Sequence, residues 1–223
     1  MARTEKWASL STQIREAVRA DLLSGQWAPG TRLQVADLAK RYGASTTVMR
    51  EALTRLAGEQ LVSFVPNHGF FVAELTLDEL QDLTELRCRI EGYGVALAIE
   101  RGSLAWEAEL IGAHHRLERT PRRKADDPHH INPEWLDAHQ EFHSKILEPC
   151  RISALTDLAA NLADATVLYR QWCAPSKAAE SRNIEAEHKA ILDAVLARDA
   201  ATAEQLLREH YELTTRIIAQ TLE

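Results

Sequence analysis

The hydrophobic and polar positions of residues 34–61 follow the period of two short amphipathic helices separated by a tight turn at 42–44. In the second helix the apolar side chains share one face, formed by Met49, Ala52, Leu53 and Leu56. This pattern predicts a helix-turn-helix, the arrangement by which many proteins place a helix in the major groove of DNA. An ordinary capped surface helix is the alternative at this point.

The polar face of that second helix carries the side chains that could contact DNA. Ser45 is a suitable N-cap, because its hydroxyl can accept a hydrogen bond from an unpaired amide of the first turn. Thr46 and Thr47 lie at the amino end, where free amides and the helix dipole favour a phosphate. Arg50 is long enough to reach a guanine edge or a phosphate, and Thr54 projects from the same face.

Residues 61–65 and 69–73 are rich in β-forming residues and are joined by a turn-forming segment, which predicts a hairpin. A helix-turn-helix followed by such a hairpin is a winged helix. Its tip, with Asn67, His68 and Gly69, is expected to lie against the minor groove or the phosphate backbone.

An amino-terminal helix over residues 9–24 completes the predicted winged helix-turn-helix domain at 1–74. Charge agrees with this division, because residues 1–73 carry nine Lys and Arg against six Asp and Glu, a net charge of +3. Residues 74–223 carry 17 against 27, a net charge of −10. The first domain can therefore approach phosphates, and the acidic remainder needs another role.

The second domain, 75–223, is predicted to be an all-α antiparallel helical bundle, so the fold class is mainly α. Apolar residues recur at helical spacing without a strand pattern over 76–101, 103–119, 132–147, 152–173, 181–198 and 199–222. A loop with three prolines separates two of these stretches at 121–133. The three cysteines are widely spaced, and no apolar run could span a bilayer, so we expect reduced thiols and a cytoplasmic protein.

Four histidines of the second domain have a plausible way to converge. His139 and His143 are four residues apart on one predicted helix, so their imidazoles lie on the same face. A helical hairpin is predicted to bend at Asp199, with His188 eleven residues before it and His210 eleven residues after it. Antiparallel packing of the two helices would place His188 and His210 at the same height, next to each other. The alternative is a set of scattered helix histidines with structural roles.

Imidazole ligands indicate a divalent transition metal, with zinc preferred and nickel or cobalt possible. A histidine centre can activate water, so a metallo-enzyme is one hypothesis. We rank it last, because Glu141 and Glu187 neighbour ligand histidines in sequence and therefore point about 100° away from them on a helix.

The order of motifs along the chain resembles that of GntR-family transcription regulators. QWAPGTRL, VADLAKRYGASTTVMREAL and NHGFFV resemble the winged-helix domain of that family. ELRCRIEGYGVALA, AHQEFHSKI and EHKAILDAVLARDAATAEQLLREH resemble the FCD-type effector-binding domain of its FadR-like branch. The resemblance covers essentially the whole chain after the first few residues.

The resemblance implies operator contacts from the recognition helix and the wing, at Ser45, Thr46, Thr47, Arg50, His68 and Gly69. Two positions depart from the family. The position of Thr46 is often basic, and that of Ala36 is an arginine in some members, so the operator of a relative does not transfer to this protein.

In the effector domain the resemblance implies metal ligands at His139, His143, His188 and His210. His139 stands where aspartate is more usual, which makes the site all-imidazole. Arg87 and Glu91 match a family pair, so Arg87 either holds an effector carboxylate from a cavity or only forms a salt bridge with Glu91. Arg170 is a further cavity candidate.

These observations predict a homodimeric regulator, with repression as the expected output, that binds double-stranded operator DNA and responds to a small carboxylate bound at the metal. A regulator that senses the metal ion itself is the second hypothesis, and the metallo-enzyme is the third.

Overall fold

A computed structural model describes residues 10–74, 76–123, 131–173, 176 and 181–222, without the side chains of 172, 173, 221 and 222. The chain contacts divide it into two compact units, 1–75 and 76–223. Among the described helices none is both long and apolar enough to cross a membrane. The central part of the predicted loop, 124–130, and the side chain of the third cysteine lie outside the described residues.

The first unit contains three helices and a small antiparallel sheet. Its elements are α1 (Leu10–Leu23), β1 (Arg32–Leu33), α2 (Val35–Arg41), α3 (Thr46–Gly58), β2 (Val62–Val65) and β3 (Gly69–Val72). The helices pack through fully buried apolar residues such as Leu22 of α1 and Met49 and Leu53 of α3. This burial supplies most of the free energy that holds α3 in place.

Local sequence explains where the recognition helix begins. Gly43 has a φ of +62°, a backbone conformation that glycine adopts without steric cost, and it turns the chain between α2 and α3. Ser45 then caps α3, because its hydroxyl accepts a hydrogen bond from the amide of Val48 at 3.2 Å.

The hairpin forms as predicted, with Val65 opposite Gly69 at its tip. The sheet also has a third strand that the sequence pattern did not predict, so its order is β1-β3-β2. Arg32 pairs with Phe71 and Leu33 with Phe70. A two-residue strand carries too short a pattern to be recognised, and it exists here only because β3 offers it a partner.

The second unit is a bundle of helices. In the described part these are α4 (Leu77–Arg101), α5 (Leu104–Arg119), α6 (Pro133–Leu147), α7 (Ser153–Cys173), α8 (Ile184–Leu196) and α9 (Ala200–Leu222). A short 3₁₀ turn, Glu148–Cys150, connects α6 with α7. The sequence prediction of a mainly α fold is therefore confirmed.

Capping side chains set the starts of these helices. The Thr76 hydroxyl accepts a hydrogen bond from the amide of Glu79 at the start of α4. Asn132 and Asp199 cap α6 and α9 in the same way. The predicted helix at 181–198 is shorter than expected, because Asn183 caps its start and Arg198 leaves the helix with a φ of +55°.

The bundle packs around α4 and α9, which lie along one another, while α7 packs on α4 and α5 packs on α6. Phe142, Leu110 and Ile191 are fully buried in the shared core, and Cys88 and Cys150 are buried free thiols. Because α8 and α9 are joined by a short bend, they run antiparallel, and this hairpin positions the groups described next.

Candidate metal centre and nucleic-acid interface

The four histidines lie together in the interior of the bundle. His139 and His143 come from α6, His188 from α8 and His210 from α9, and each is at most 6% exposed. One nitrogen from each ring lies within 4.8 Å of those of the other three. The hairpin thus brings two distant imidazoles to the pair on α6.

Three of these rings have a nitrogen whose hydrogen-bonding capacity is unused. The Nε2 atoms of His139, His143 and His188 are buried without a hydrogen-bond partner in the described part of the chain. An unpaired buried polar atom costs about 1–3 kcal/mol, so three beside one another need an explanation. Nitrogen atoms this close together fit a metal ion, which would satisfy all of them at once.

The imidazoles are held in the neutral form that metal binding requires. Burial, followed by the neighbouring imidazoles, lowers the pKa of His139 and of His143 well below the ordinary value. Burial likewise lowers the pKa of His188 well below that value and the pKa of His210 to about 4.

A carboxylate orients the His210 ring. The Oε2 atom of Glu187 lies 2.8 Å from Nδ1 of His210, and Arg182 donates two hydrogen bonds to Glu187 at 2.7 and 2.6 Å. Burial would raise the pKa of Glu187, but the hydrogen bonds from Arg182 and His210 outweigh it and lower the pKa to about 2. An ionised carboxylate only accepts, so Nδ1 carries the proton and Nε2 is left free for a metal.

Nδ1 of His210 also lies 3.2 Å from Nη2 of Arg182, a contact that would need the opposite tautomer. The shorter contact with the carboxylate decides between the two. Arg182 has other acceptors, because Nη2 donates to Glu187 and to the backbone oxygen of His210 at 3.0 Å.

A second carboxylate acts on His143 through a tyrosine. The Tyr211 hydroxyl donates to Glu91 at 2.5 Å and lies 3.1 Å from Nδ1 of His143. Burial and the Glu91 carboxylate raise the pKa of Tyr211 well above its ordinary value, so the phenol keeps its one proton. Because the hydroxyl donates that proton to Glu91, its oxygen must accept a hydrogen bond from Nδ1 of His143. The proton of the His143 ring is therefore on Nδ1, and Nε2 is again unprotonated.

The structure shows the salt bridge between Arg87 and Glu91 that the sequence left open. Nε of Arg87 donates to Glu91 at 2.7 Å, and both side chains are buried. Arg87 also donates to the Thr166 hydroxyl at 3.1 Å and lies over the Tyr211 ring at 4.1 Å. The pair therefore bridges one turn of α4 and also positions Tyr211, which contacts His143.

Arg170 lies where two clefts meet beside His210. The larger cleft has an interior volume of about 30 Å³, and the smaller, about 10 Å³, is also lined by Arg87. Nε of Arg170 is buried without a hydrogen-bond partner among the described residues. Burial, together with the charge of Arg87, lowers the pKa of Arg170 to about 9.

Neither carboxylate that neighbours a ligand histidine in sequence is available as a general base. Glu141 is exposed and forms an ion pair with Arg116. Glu187 is fully engaged by Arg182 and His210. Sequence reasoning missed the supporting roles of Glu187 and Tyr211, although Glu187 lies twelve residues before Asp199 and so nearly level with His210 across the hairpin.

Most of the residues predicted to contact DNA are exposed on the first unit. Thr46, Thr47, Arg50 and Thr54 are all exposed on α3. The Thr54 hydroxyl donates to the backbone oxygen of Arg50 at 2.8 Å, so its proton is already used. Ser45 caps the helix, as described above. At the wing, His68 is exposed and Gly69 has a φ of +100°. The large apolar side chains of Phe64 and Val65 are exposed there as well, which sequence reasoning did not single out.

Comparison with known proteins agrees with both units. Residues 10–72 match the model of bacterial regulatory proteins of the gntR family, and residues 82–213 match that of the FCD domain. The chain is 32% identical over 212 residues to the HTH-type transcriptional regulator BphR of Paraburkholderia xenovorans, covering 95% of this chain and 86% of that protein. It is 31% identical to the HTH-type transcriptional repressor GlaR of Escherichia coli, covering 92% and 94%.

The solved structure of McbR/YncC from E. coli superimposes on the chain with a TM-score of 0.81 at 25% sequence identity, covering 97% of this chain and all of that one. These relatives are transcription regulators rather than enzymes. The chain thus belongs to the GntR family of bacterial transcription regulators and combines a DNA-binding helix-turn-helix domain with an FCD domain.

Proposed function

We propose that this regulator changes its affinity for operator DNA when a small carboxylate binds at a histidine-ligated metal in the second domain. The observation that carries the proposal is the cluster of four buried imidazoles, three of which have an Nε2 atom without a hydrogen-bond partner among the described residues. The domains implied are 1–74 for DNA binding and 75–223 for metal and effector binding.

His139, His143, His188 and His210 would hold the metal. Four neutral nitrogen ligands favour zinc, and nickel or cobalt would also suit them. Once bound, the ion would add two positive charges that attract an anionic ligand, and only a metal of higher coordination number than zinc would bind that ligand directly. Glu187 and Tyr211 would keep the proton of His210 and of His143 on Nδ1, so the Nε2 atoms of these two rings would be unprotonated in the metal-free protein.

Arg170 is proposed as the main contact of the effector carboxylate. It lines both clefts, and its buried Nε has no hydrogen-bond partner within the described part of the chain. Arg87 would contribute its charge from the smaller cleft. Glu91 would act indirectly, since its two oxygens are already used by Arg87 and Tyr211.

Operator contacts are proposed for the exposed end of α3 and for the wing. Arg50, which has no ion-pair partner among the described residues, would read a guanine edge or a phosphate. The remaining proposed contacts are Ser45, Thr46, Thr47, Thr54, His68 and Gly69. A homodimer would place two such surfaces on a pseudo-palindromic site.

One observation favours the metal ion itself as the signal. Four imidazoles complete a tetrahedral zinc site, which leaves no open position for a carboxylate. An effector would then need a metal of higher coordination number, or it would bind beside the site through Arg170 alone.

The test measures operator binding by the metal-free and zinc-, nickel- or cobalt-loaded protein, each with and without a panel of carboxylic acids. The proposal expects a metal-loaded protein whose affinity for DNA responds to an acid. A response to metal that no acid alters would instead identify a metal sensor, and elemental analysis without stoichiometric metal would refute both.

A further inference from the structure

Trp135 extends the row of histidine rings on α6 by one turn. Trp135, His139 and His143 are spaced four residues apart, so their side chains follow one another along the same face of the helix. The ring centroids of Trp135 and His139 are 4.7 Å apart with an interplanar angle of 28°, a stacked arrangement. The rings of His139 and His143 follow at 4.5 Å. Trp135 is 3% exposed and His139 is 4% exposed, so the stack is shielded from water.

The start of α6 fixes the position of Trp135. Asn132 caps the helix, because its Oδ1 atom accepts a hydrogen bond from the amide of Glu134 at 3.2 Å. Nδ2 of Asn132 donates to the backbone oxygen of Pro121 at 2.9 Å, and its amide donates to that of Arg122 at 2.8 Å. The guanidinium of Arg122 lies 5.6 Å from the centroid of the Trp135 ring. These contacts involve none of the four histidines, so they hold the indole in place without a metal.

His139 differs from His143 and His210 in how its ring is oriented. Hydrogen bonds to a tyrosine and to a carboxylate orient those two rings. For His139 the described residues provide no hydrogen bond to Nε2, and the aromatic neighbour outside the histidine cluster is Trp135. The stack on the indole is therefore the contact that restrains the His139 ring.

From this arrangement we infer that Trp135 is a positioning residue for the proposed ligand His139 and raises the affinity of the site for its metal. The inference rests on the proposed function. Stacking restrains rotation of the imidazole, so less freedom is lost when the ring binds an ion. Coordination also draws electron density from the imidazole, and the electron-rich face of an indole attracts such a ring more strongly. The stack is therefore stronger in the metal-bound protein, and this difference contributes to metal affinity.

Trp135 would lose this role in a site with an aspartate at position 139. A carboxylate has no ring that could stack, and the face of an indole does not attract its negative charge. The effects of Trp135 and His139 on zinc affinity should therefore be coupled rather than additive.

The first test measures zinc affinity of the full-length protein by competition with a chelator, with circular dichroism to establish that each variant is folded. Trp135→Leu removes the ring and should weaken zinc binding about tenfold. Trp135→Phe also removes volume but keeps an aromatic ring, so it should weaken zinc binding by no more than about threefold. Trp106→Leu is the matched control, because Trp106 is buried in the same core cluster and its indole donates to the backbone oxygen of Lys145 rather than stacking on any histidine that the structure describes. The control should lose stability and keep wild-type zinc affinity.

The second test is a double-mutant cycle, which separates stacking from packing. In a His139→Asp background, Trp135→Leu should change zinc affinity by less than about threefold, because the stack is already absent. A residue that only fills space would cause the same loss in both backgrounds. If His139→Asp binds no zinc, the comparison of the phenylalanine and leucine variants decides.

Three results would overturn the inference while the proposed metal site stands. These are an unchanged zinc affinity in Trp135→Leu, an equal loss in Trp135→Phe and Trp135→Leu, and a loss that is undiminished in the His139→Asp background. If the wild-type protein binds no zinc, nickel or cobalt, the inference and the proposed function are contradicted together.

Discussion

Replacing Glu187 by glutamine removes the charge that orients a proposed metal ligand and changes little else in shape. Glutamine keeps one acceptor oxygen and the length of the side chain, but it also carries donors. It therefore no longer enforces protonation of Nδ1 of His210, and it no longer compensates the buried Arg182.

The expected magnitude follows from the role of hydrogen-bonded partners behind metal ligands. Loss of such a partner typically weakens metal binding 10- to 100-fold, which corresponds to about 1.4–2.7 kcal/mol. The contact between Glu187 and His210 is 2.8 Å long and the ring is 4% exposed, so solvent does not screen the interaction. We expect Glu187→Gln to fall within this range.

The assay is competition for zinc between the protein and a chelator of known affinity, at a temperature where circular dichroism shows each variant folded. Glu107→Gln is the control. Glu107 accepts from Arg198 at 2.6 Å, the same distance at which Glu187 accepts from Arg182, but it contacts none of the four histidines. The control variant should lose some stability and keep wild-type zinc affinity.

A zinc affinity for Glu187→Gln within twofold of the wild type would refute the reasoning. The role of Glu187 would then be limited to its ion pair with Arg182. In that case the substitution would lower the stability of the metal-free protein without changing its affinity for zinc. The two outcomes separate cleanly, because stability and metal affinity are measured independently.

Three further predictions follow from other contacts. Arg50→Ala should weaken operator binding by about 1–3 kcal/mol and relax sequence preference at one position, whereas Arg89→Ala, an exposed change on α4, should do neither in a salt-controlled shift assay. His143→Ala and His210→Ala should each lower bound zinc in elemental analysis, and a full complement of metal in either variant would remove that residue from the site. The metal-free protein should lose stability as the pH falls below about 6.5, because unfolded imidazoles take up protons that the buried ones do not. His210, with its pKa lowered to about 4, should alone contribute roughly 2 kcal/mol of this loss by pH 5. The urea midpoint of His210→Ala should therefore fall less steeply with decreasing pH than that of the wild type.

The fold could be predicted well where the deciding interactions are local. Thr76, Asn132 and Asp199 cap their helices by accepting hydrogen bonds from amides two or three residues later in the chain. The starts of these helices can therefore be predicted from the residue types alone. The strand β1 could not be found this way. Its two residues are extended because they pair with β3, almost forty residues later.

The histidine cluster illustrates the same limit. Spacing alone predicted that His139 and His143 share a face of one helix. It also predicted that His188 and His210 lie at the same height on the two helices of a hairpin, because the rise per residue fixes their distances from the bend. The supporting groups depend on side-chain rotamers and on the register between helices. Tyr211, for example, reaches Glu91 and His143 only because α9 packs along α4 in one particular register.

If the proposed metal is bound, the all-imidazole site would favour an anion beside it. An aspartate at position 139 would bring one negative charge into contact with the metal, and His139 brings none. Glu187, which contacts Nδ1 of His210, is compensated by Arg182, and Glu91 is compensated by Arg87. The two charges of a divalent ion would therefore remain without a balancing ligand charge, beside Arg170, for which the described residues supply no ion-pair partner. In a buried site such an excess of positive charge is unfavourable, and an effector carboxylate reduces it by binding. Affinity for the acid should therefore rise when the metal is present, and, by linkage, affinity for the metal should rise by the same factor when the acid is present.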